Sequence, residues 1–141
     1  MINKIIDGIS VALNEEFGDG YEIHTERIEQ GLVEPCFSIL CIKPSESQVL
    51  GKRYFKQNQF CIYYYPESDE KNKENLSVIE RLFSCLEMIN VDGDMVRGTN
   101  MDSEITDDVV AFMVNYDMHV YKQPMLEPFM ETFDVDTGLK G

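Results

Sequence analysis

Apolar residues recur at three- and four-residue spacings in two segments of the chain. The first set is Ile2, Ile5, Ile6, Ile9, Leu13 and Phe17. The second set is Leu76, Ile79, Leu82, Phe83, Leu86 and Ile89. This periodicity places each set on one stripe of an amphipathic helix. Gly18 favours a left-handed cap after the first helix, and Glu74 lies where the dipole of the second helix favours an acidic residue.

Segments rich in β-branched and aromatic residues predict the strands. They lie at residues 21–26, 36–42, 53–65, 91–97, 100–105 and 109–121. Both alternating sets within residues 36–42 are largely apolar, which is typical of a strand that is covered on both faces. In the last strand one set stays apolar, while the other becomes polar from Asn115 onward. Residues 44–52 are predicted to form a polar connection and residues 67–74 a solvated loop.

The elements follow the order helix, strands, helix, strands, without an alternating βαβ repeat. This order predicts an α+β fold, with a mainly antiparallel sheet and two amphipathic helices packed on one face. We expect Leu82 and Phe83 of the second helix to be buried against the sheet face that carries Phe112 and Val114.

The length of the chain favours a single domain. A chain of 141 residues with 43% hydrophobic content can build one core. We expect the domain to span residues 1–122 and a C-terminal extension to span residues 123–141. The extension contains two prolines and no periodicity, but its apolar residues include Met125 and Phe129. This apolar content predicts docking on the same domain or on a neighbouring subunit.

Acidic residues outnumber basic residues by 26 to 12, and the net charge is −14. Nucleic acid binding depends on neutralising phosphates with Lys and Arg, so we expect no nucleic acid ligand beyond DNA in passage. An acidic surface keeps a protein soluble, complements a basic partner or repels passing DNA. The apolar stretches fall short of the roughly 20 residues that cross a bilayer, and the N-terminus lacks a signal-peptide pattern. We therefore expect a cytoplasmic protein without a membrane partner.

Few residues have the spacing that catalysis or metal binding requires. The histidines, His24 and His119, lie in predicted strands without a recognisable catalytic partner, and the nucleophile motif GxSxG is absent. The four cysteines form no CxxC pair and lie in apolar segments, which predicts reduced core thiols. We expect neither an enzyme nor a cofactor.

Two charged segments are candidates for contacts. The acidic segment comprises Asp92, Asp94, Asp102, Glu104, Asp107 and Asp108. It lacks the ligand ladder of a calcium loop, so a solvated hairpin is favoured over a metal site. The basic segment comprises Lys52, Arg53 and Lys56. We interpret it as a contact with an acidic partner.

Several short motifs resemble those of a known family. They are INKIIDGI at residues 2–9, YEIH at 21–24, QGLVEPCF at 30–37, RY at 53–54 and FCIYYYP at 60–66. Together they resemble the small tail-terminator proteins of Gram-positive phages and phage-derived tail particles, over roughly residues 1–122. The motifs are turns and strand cores, so no catalytic residue can be transferred from the family.

The resemblance implies a protomer of a six-membered ring on the last ring of a tail tube. Such a ring stops tube growth and offers a surface to the next component, which is the sheath in contractile tails or a head–tail connector. It also implies a location in the tail, after assembly in the host cytoplasm. If the ring surrounds the path of DNA, the acidic segment is a candidate for lining its channel; the alternative is that these residues only solubilise the outer surface.

Two other classes of protein stay open at this point. A small acidic inhibitor, either an immunity protein or a DNA mimic, would explain the charge equally well. A small enzyme is the other alternative. For the terminator, the contact residues that we expect are Lys52, Arg53, Lys56, Asp102, Glu104, Asp107, Asp108, Met125 and Phe129.

Overall fold

The computed structural model describes residues 1–26 and 33–121. Two helices lie in this part of the chain, α1 at Ile2–Phe17 and α2 at Lys71–Cys85. The prediction for α1 is confirmed. Gly18 ends this helix with a positive φ of 85° but a ψ of −171°, so its backbone is not in the predicted left-handed helical conformation.

The prediction for α2 needs two corrections. The helix begins at Lys71, inside the charged segment that was predicted to be a loop, and it ends before Ile89, which lies in a strand. Its buried positions are Asn75, Val78, Ile79 and Leu82. The predicted stripe began one residue too late, which explains why Leu76 is exposed.

The strands are β1 at Glu22–His24, β2 at Cys36–Leu50, β3 at Arg53–Tyr65, β4 at Met88–Val91, β5 at Asp94–Thr106, β6 at Val109–Tyr116 and β7 at Met118–Tyr121. Three predictions were wrong in detail. The polar connection at residues 44–52 is largely part of β2. The two predicted strands at 91–97 and 100–105 are replaced by β4 and the long β5. The last predicted strand is divided into β6 and β7 at Asp117.

The strands form a sheet in the order β1-β2-β3-β6-β5-β4, and β7 also pairs with β3. The short β1 runs parallel to β2, whereas β6 is antiparallel to both β3 and β5. The predicted α+β fold with a mainly antiparallel sheet is therefore confirmed. The described residues divide into two compact units, one with residues 1–46 and 56–118 and the other with residues 47–55 and 119–121.

Both helices pack on the same face of the sheet in the first unit. Phe60, Ile62 and Tyr64 of β3 lie opposite Val114, Phe112 and Val110 of β6, which places the six side chains on one face. They join Ile5, Ile9 and Leu13 of α1 and Val78, Ile79 and Leu82 of α2 in one buried cluster. Because the helices cover this face, its strand residues are apolar at every second position.

Phe83 differs from its predicted position. Leu82 is fully buried as predicted, but Phe83 keeps 38% of its surface exposed. The Phe83 ring meets the edge of the Phe112 ring at a centroid distance of 5.0 Å. The helix therefore packs on the predicted strand, with Phe83 at the border of the core because it is adjacent in sequence to the inward-facing Leu82.

The four cysteines are free thiols. Cys36 and Cys61 are buried as predicted, whereas Cys41 and Cys85 are only partly covered. Burial, together with the charges of Glu22 and Glu34, raises the pKa of Cys36 to about 11. Burial also raises the pKa of Cys85 to about 12. These thiols are protonated at neutral pH and are poor nucleophiles.

Glu74 anchors the chain that enters α2. Its carboxylate accepts hydrogen bonds from the Tyr64 hydroxyl and from the backbone N–H groups of Ser68 (2.9 Å) and Glu67 (3.2 Å). Burial alone would raise the pKa of Glu74, but these hydrogen bonds favour the charged form and lower the pKa below its ordinary value. The ionised carboxylate therefore stabilises the fold.

Glu74→Gln is expected to lower the free energy of unfolding by about 1 kcal/mol at pH 7, since solvent screens a half-buried charged hydrogen bond. The lowered pKa means that this contribution is present above the unfolded-state pKa of about 4.3 and is lost as the pH falls through the folded-state value. The difference between wild type and variant should thus shrink towards pH 3 in urea titrations. Glu80→Gln, at an exposed position of the same helix, is the control. A gap that stays constant between pH 7 and pH 3 would contradict the assigned role.

Within residues 1–26 and 33–121, no helix is long and apolar enough to cross a membrane.

Candidate interaction surfaces

Four acidic residues lie at one end of β5. Asp102 and Glu104 are two residues apart on this strand and point to the same face. Asp107 and Asp108 form the two-residue turn into β6 with φ angles of 52° and 64°, a conformation that Asp tolerates better than most residues. Asn75 of α2, which is fully buried, donates from Nδ2 to the carbonyl oxygen of Asp108 at 2.9 Å and holds this turn in place.

The predicted acidic segment is not one cluster. Asp92 lies in the turn between β4 and β5 and Asp94 at the start of β5, whereas Asp107 and Asp108 follow its other end. A strand of 13 residues spans roughly 40 Å, at about 3.4 Å per residue. Asp92 is paired with Lys4 at 2.9 Å. No group of three metal-ligating side chains occurs in the part of the chain that the structure describes.

The predicted basic residues are divided in a similar way. Lys56 belongs to the first compact unit and forms an ion pair with Glu46, with 3.5 Å between Nζ and Oε1. Lys52 and Arg53 belong to the second unit, at the turn between β2 and β3. Arg53 donates from Nη2 to the Tyr121 hydroxyl at 3.0 Å, and its guanidinium carbon lies 5.6 Å from the centre of that ring.

Apolar side chains are exposed beside these cations. Val49 and Leu50 at the end of β2 are 50% and 78% exposed. The side chain of Gln48 donates to the carbonyl oxygen of Gly51 at 2.6 Å and fixes the turn between the strands. We call Val49, Leu50, Lys52 and Arg53 the hairpin tip. It combines two apolar side chains with two positive charges, as a surface that contacts another protein does.

A second surface, which the sequence analysis missed, lies between α1 and the β4–β5 hairpin. Its exposed large apolar residues are Val11, Met88 and Met95, and its acidic residues include Asp7 and Glu15. We call these five residues and the cleft that they line the α1 groove. The sequence signal that could have revealed this surface is Val11, an apolar residue on the polar side of the first helix. It is 54% exposed.

The two histidines have structural contacts. His24 lies 3.2 Å from the Glu22 carboxylate, and the His119 ring lies 4.8 Å from the Phe55 ring. Neither contact includes a nucleophile, so the described residues offer no recognisable triad at these positions. Met125 and Phe129, the two remaining predicted contact residues, lie outside the described residues.

The comparisons with known proteins point to one family. The phage tail terminator protein family matches residues 4–126. Among solved structures, the chain is similar to the PVC sheath/tube terminator of an extracellular contractile injection system, determined by cryo-EM in the extended state. The two share 10% sequence identity at a TM-score of 0.52, over 86% of this chain and 57% of that one. No match was found among curated protein sequences.

A second solved structure shares 11% identity at a TM-score of 0.46, over 89% of this chain and 99% of that one. The likeness to the sheath/tube terminator concerns the fold, and this chain spans little more than half of that protein's length. The family match includes nearly all of α1, the whole of α2 and all the described strands. The chain therefore belongs to the phage tail terminator protein family.

Proposed function

We propose that the protein caps the end of a tail tube as a closed ring of six identical subunits, stops its polymerisation and presents a joining surface to the next component. The observation that carries this proposal is the family match over residues 4–126. The fold shared with the terminator of a contractile particle supports it independently.

A closed ring follows from what a terminator must do. It binds the exposed end of a polymer, and it must not itself provide another such end. Head-to-tail contacts between identical subunits either close into a ring or extend as a filament. Closed rotational symmetry therefore satisfies every contact between subunits and leaves two different faces, one for the tube and one for the next component.

The partners in this proposal are the tube protein and, on the opposite face, a sheath protein or a head–tail connector. Contractile tails have a sheath around the tube. The structural neighbour is a sheath/tube terminator from a contractile particle. Assembly would take place in the host cytoplasm before the particle is complete. The C-terminal extension at residues 123–141 would add contacts to its own domain or to the neighbouring subunit.

The same proposal gives a role to the four acidic residues at one end of β5. DNA that passes through a ring is slowed by a basic channel, because Lys and Arg bind its phosphates. Asp102, Glu104, Asp107 and Asp108 would instead keep contacts with DNA weak if they line the channel. Asp92 and Asp94 lie at the other end of β5 and are left out of this lining.

The inhibitor alternative rests on the net charge of −14 alone, which a terminator explains equally well. An immunity protein or a DNA mimic would stay monomeric or dimeric until its target is added. If the chain forms rings when tube protein is added, the inhibitor alternative is excluded.

Growth of the tube provides a functional test. Purified tube protein is polymerised with increasing amounts of the chain, and tube lengths are measured by negative-stain electron microscopy. We expect shorter tubes as the molar ratio of chain to tube protein rises, since each capped end stops growing. An unrelated protein of similar net charge is the control. Tubes of equal length at all ratios would contradict capping.

A further inference from the structure

The α1 groove has an apolar floor that solvent reaches. Val11 and Met95 are 54% and 59% exposed, and Met88 at the start of β4 is a third exposed apolar residue of the lining. Gly8 forms the back of the groove, where α1 lies directly against the backbone of β4 at Asn90. Three neighbouring exposed apolar side chains in a concave site are typical of a surface that a partner covers.

The rim of the α1 groove carries excess negative charge. Four carboxylates line it, those of Asp7, Glu15, Glu16 and Asp92. Glu16 is neutralised by Arg81 at 2.9 Å, and Asp92 by Lys4 at 2.9 Å. The two others, Asp7 and Glu15, form no ion pair with any residue that the structure describes. An occupant of the groove should therefore bring about two positive charges with its apolar side chains.

The hairpin tip has this composition. Leu50 is the most exposed large apolar side chain of the described residues, and Val49 beside it is half exposed. Lys52 and Arg53 supply two positive charges at the same turn. Arg53 donates a hydrogen bond to the hydroxyl of Tyr121. This hydroxyl is neutral, so the contact does not compensate the positive charge of Arg53.

We propose that the hairpin tip of one subunit docks in the α1 groove of a second copy of this chain, and that this contact joins neighbouring subunits. The inference rests on the proposed ring and names the surfaces that form it. Leu50 and Val49 would cover Val11, Met88 and Met95, while Lys52 and Arg53 would face Asp7 and Glu15. Apolar burial stabilises the contact, and the charges select its orientation.

The contact is heterologous, because the two surfaces are different parts of the chain. Each subunit offers one tip and one groove, so a closed ring uses all of them and leaves no exposed tip. The same arrangement explains why a chain with many charged residues leaves Leu50 and Val11 exposed when it is alone.

Charge exchange tests the contact in the full-length chain. Lys52→Glu gives the tip a negative charge, and Glu15→Lys gives the groove a positive one. Each single variant is expected to raise the protein concentration at half-assembly by about tenfold or more, because like charges oppose each other across the interface. Assembly is measured by native mass spectrometry, with tube protein added if the chain requires it.

Restoration of assembly is the decisive readout. The double variant Lys52→Glu with Glu15→Lys, and an equimolar mixture of the two single variants, should both assemble within about twofold of wild type. Lys73→Glu and Asp19→Lys make the same charge changes at exposed positions outside both surfaces and should leave assembly unchanged. Thermal unfolding of each single variant verifies that it is folded.

The failure of this contact can be told apart from the failure of the proposed function. If the wild type forms rings and neither single variant weakens them, the tip-to-groove contact is wrong while the capping ring stands. Loss of tube binding in Glu15→Lys with rings intact would assign the groove to the tube or sheath protein, and it too overturns the inference. A wild type that never assembles, even with tube protein, overturns both.

Discussion

Replacing Phe112 with alanine is expected to lower the free energy of unfolding by about 3–5 kcal/mol, the usual cost of removing a buried aromatic side chain. Phe112 is fully buried at the centre of the sheet, opposite Ile62 of β3 and beneath α2. Neighbouring side chains on a rigid sheet collapse only partly into the space, so a cavity remains. Urea-induced unfolding followed by circular dichroism measures the change.

Phe83→Ala is the matched control, because the two rings touch but only one lies in the core. Phe83 is 38% exposed, so its loss removes the edge-to-face contact and part of an apolar surface that water already reaches. We expect a cost of about 1 kcal/mol, close to that of an aromatic pair. Equal costs for the two variants would show that α2 is positioned differently on the sheet.

Gly8→Ala is expected to destabilise the protein by about 1–3 kcal/mol, although alanine is the better helix former by about 1 kcal/mol. The reason is a contact. A Cβ atom at position 8 would lie 2.6 Å from the carbonyl oxygen of Asn90, which belongs to the backbone of β4 and cannot rotate away. Either α1 moves off the sheet or β4 bends, and both disturb the core around Ile5 and Ile9.

Gly20→Ala separates this contact from the general effect of replacing glycine. No atom of the described residues lies within 4 Å of a Cβ at position 20, so we expect a change in unfolding free energy within about 0.5 kcal/mol. Thermal unfolding of both variants at pH 7 measures the two changes in stability. A Gly8→Ala protein as stable as wild type would mean that α1 does not rest on the backbone of β4.

The sequence predicted those elements whose apolar pattern is local. The stripe from Ile2 to Phe17 gave the bounds of α1, and the β-prone residues ending at Pro66 gave those of β3. In both segments one face is buried or half-buried along the whole element, so burial and sequence period agree. The class of fold followed from the order of such elements.

The remaining elements depend on partners that are distant in sequence. Residues 44–48 are exposed and largely polar, and they form a strand because β3 pairs beside them in the sheet. The break at Asp117 has a similar cause. Asn58 of β3 is buried, its N–H donates to the Asp117 carboxylate at 3.3 Å, and its side chain donates to the carbonyl oxygen of Tyr116 at 3.2 Å. Periodicity contains no signal for such hydrogen bonds.

The candidate surfaces were predicted less well than the fold. Charged residues that are close in sequence were taken as clusters, but a 13-residue strand separates Asp92 from Asp107, and Lys56 is paired with Glu46. The α1 groove could not be found in this way, because Val11 and Met95 are brought together only by the packing of α1 on the β4–β5 hairpin.

The proposed function requires that this chain forms a closed ring on the end of a tail tube. Cryo-EM of tubes assembled from purified tube protein and the full-length chain tests it most directly. We predict one ring of six copies at the tube end, with the α1 groove of each subunit covered by its neighbour and none of the chain along the tube wall. A single copy at the end, or copies distributed along the length of the tube, would contradict the account.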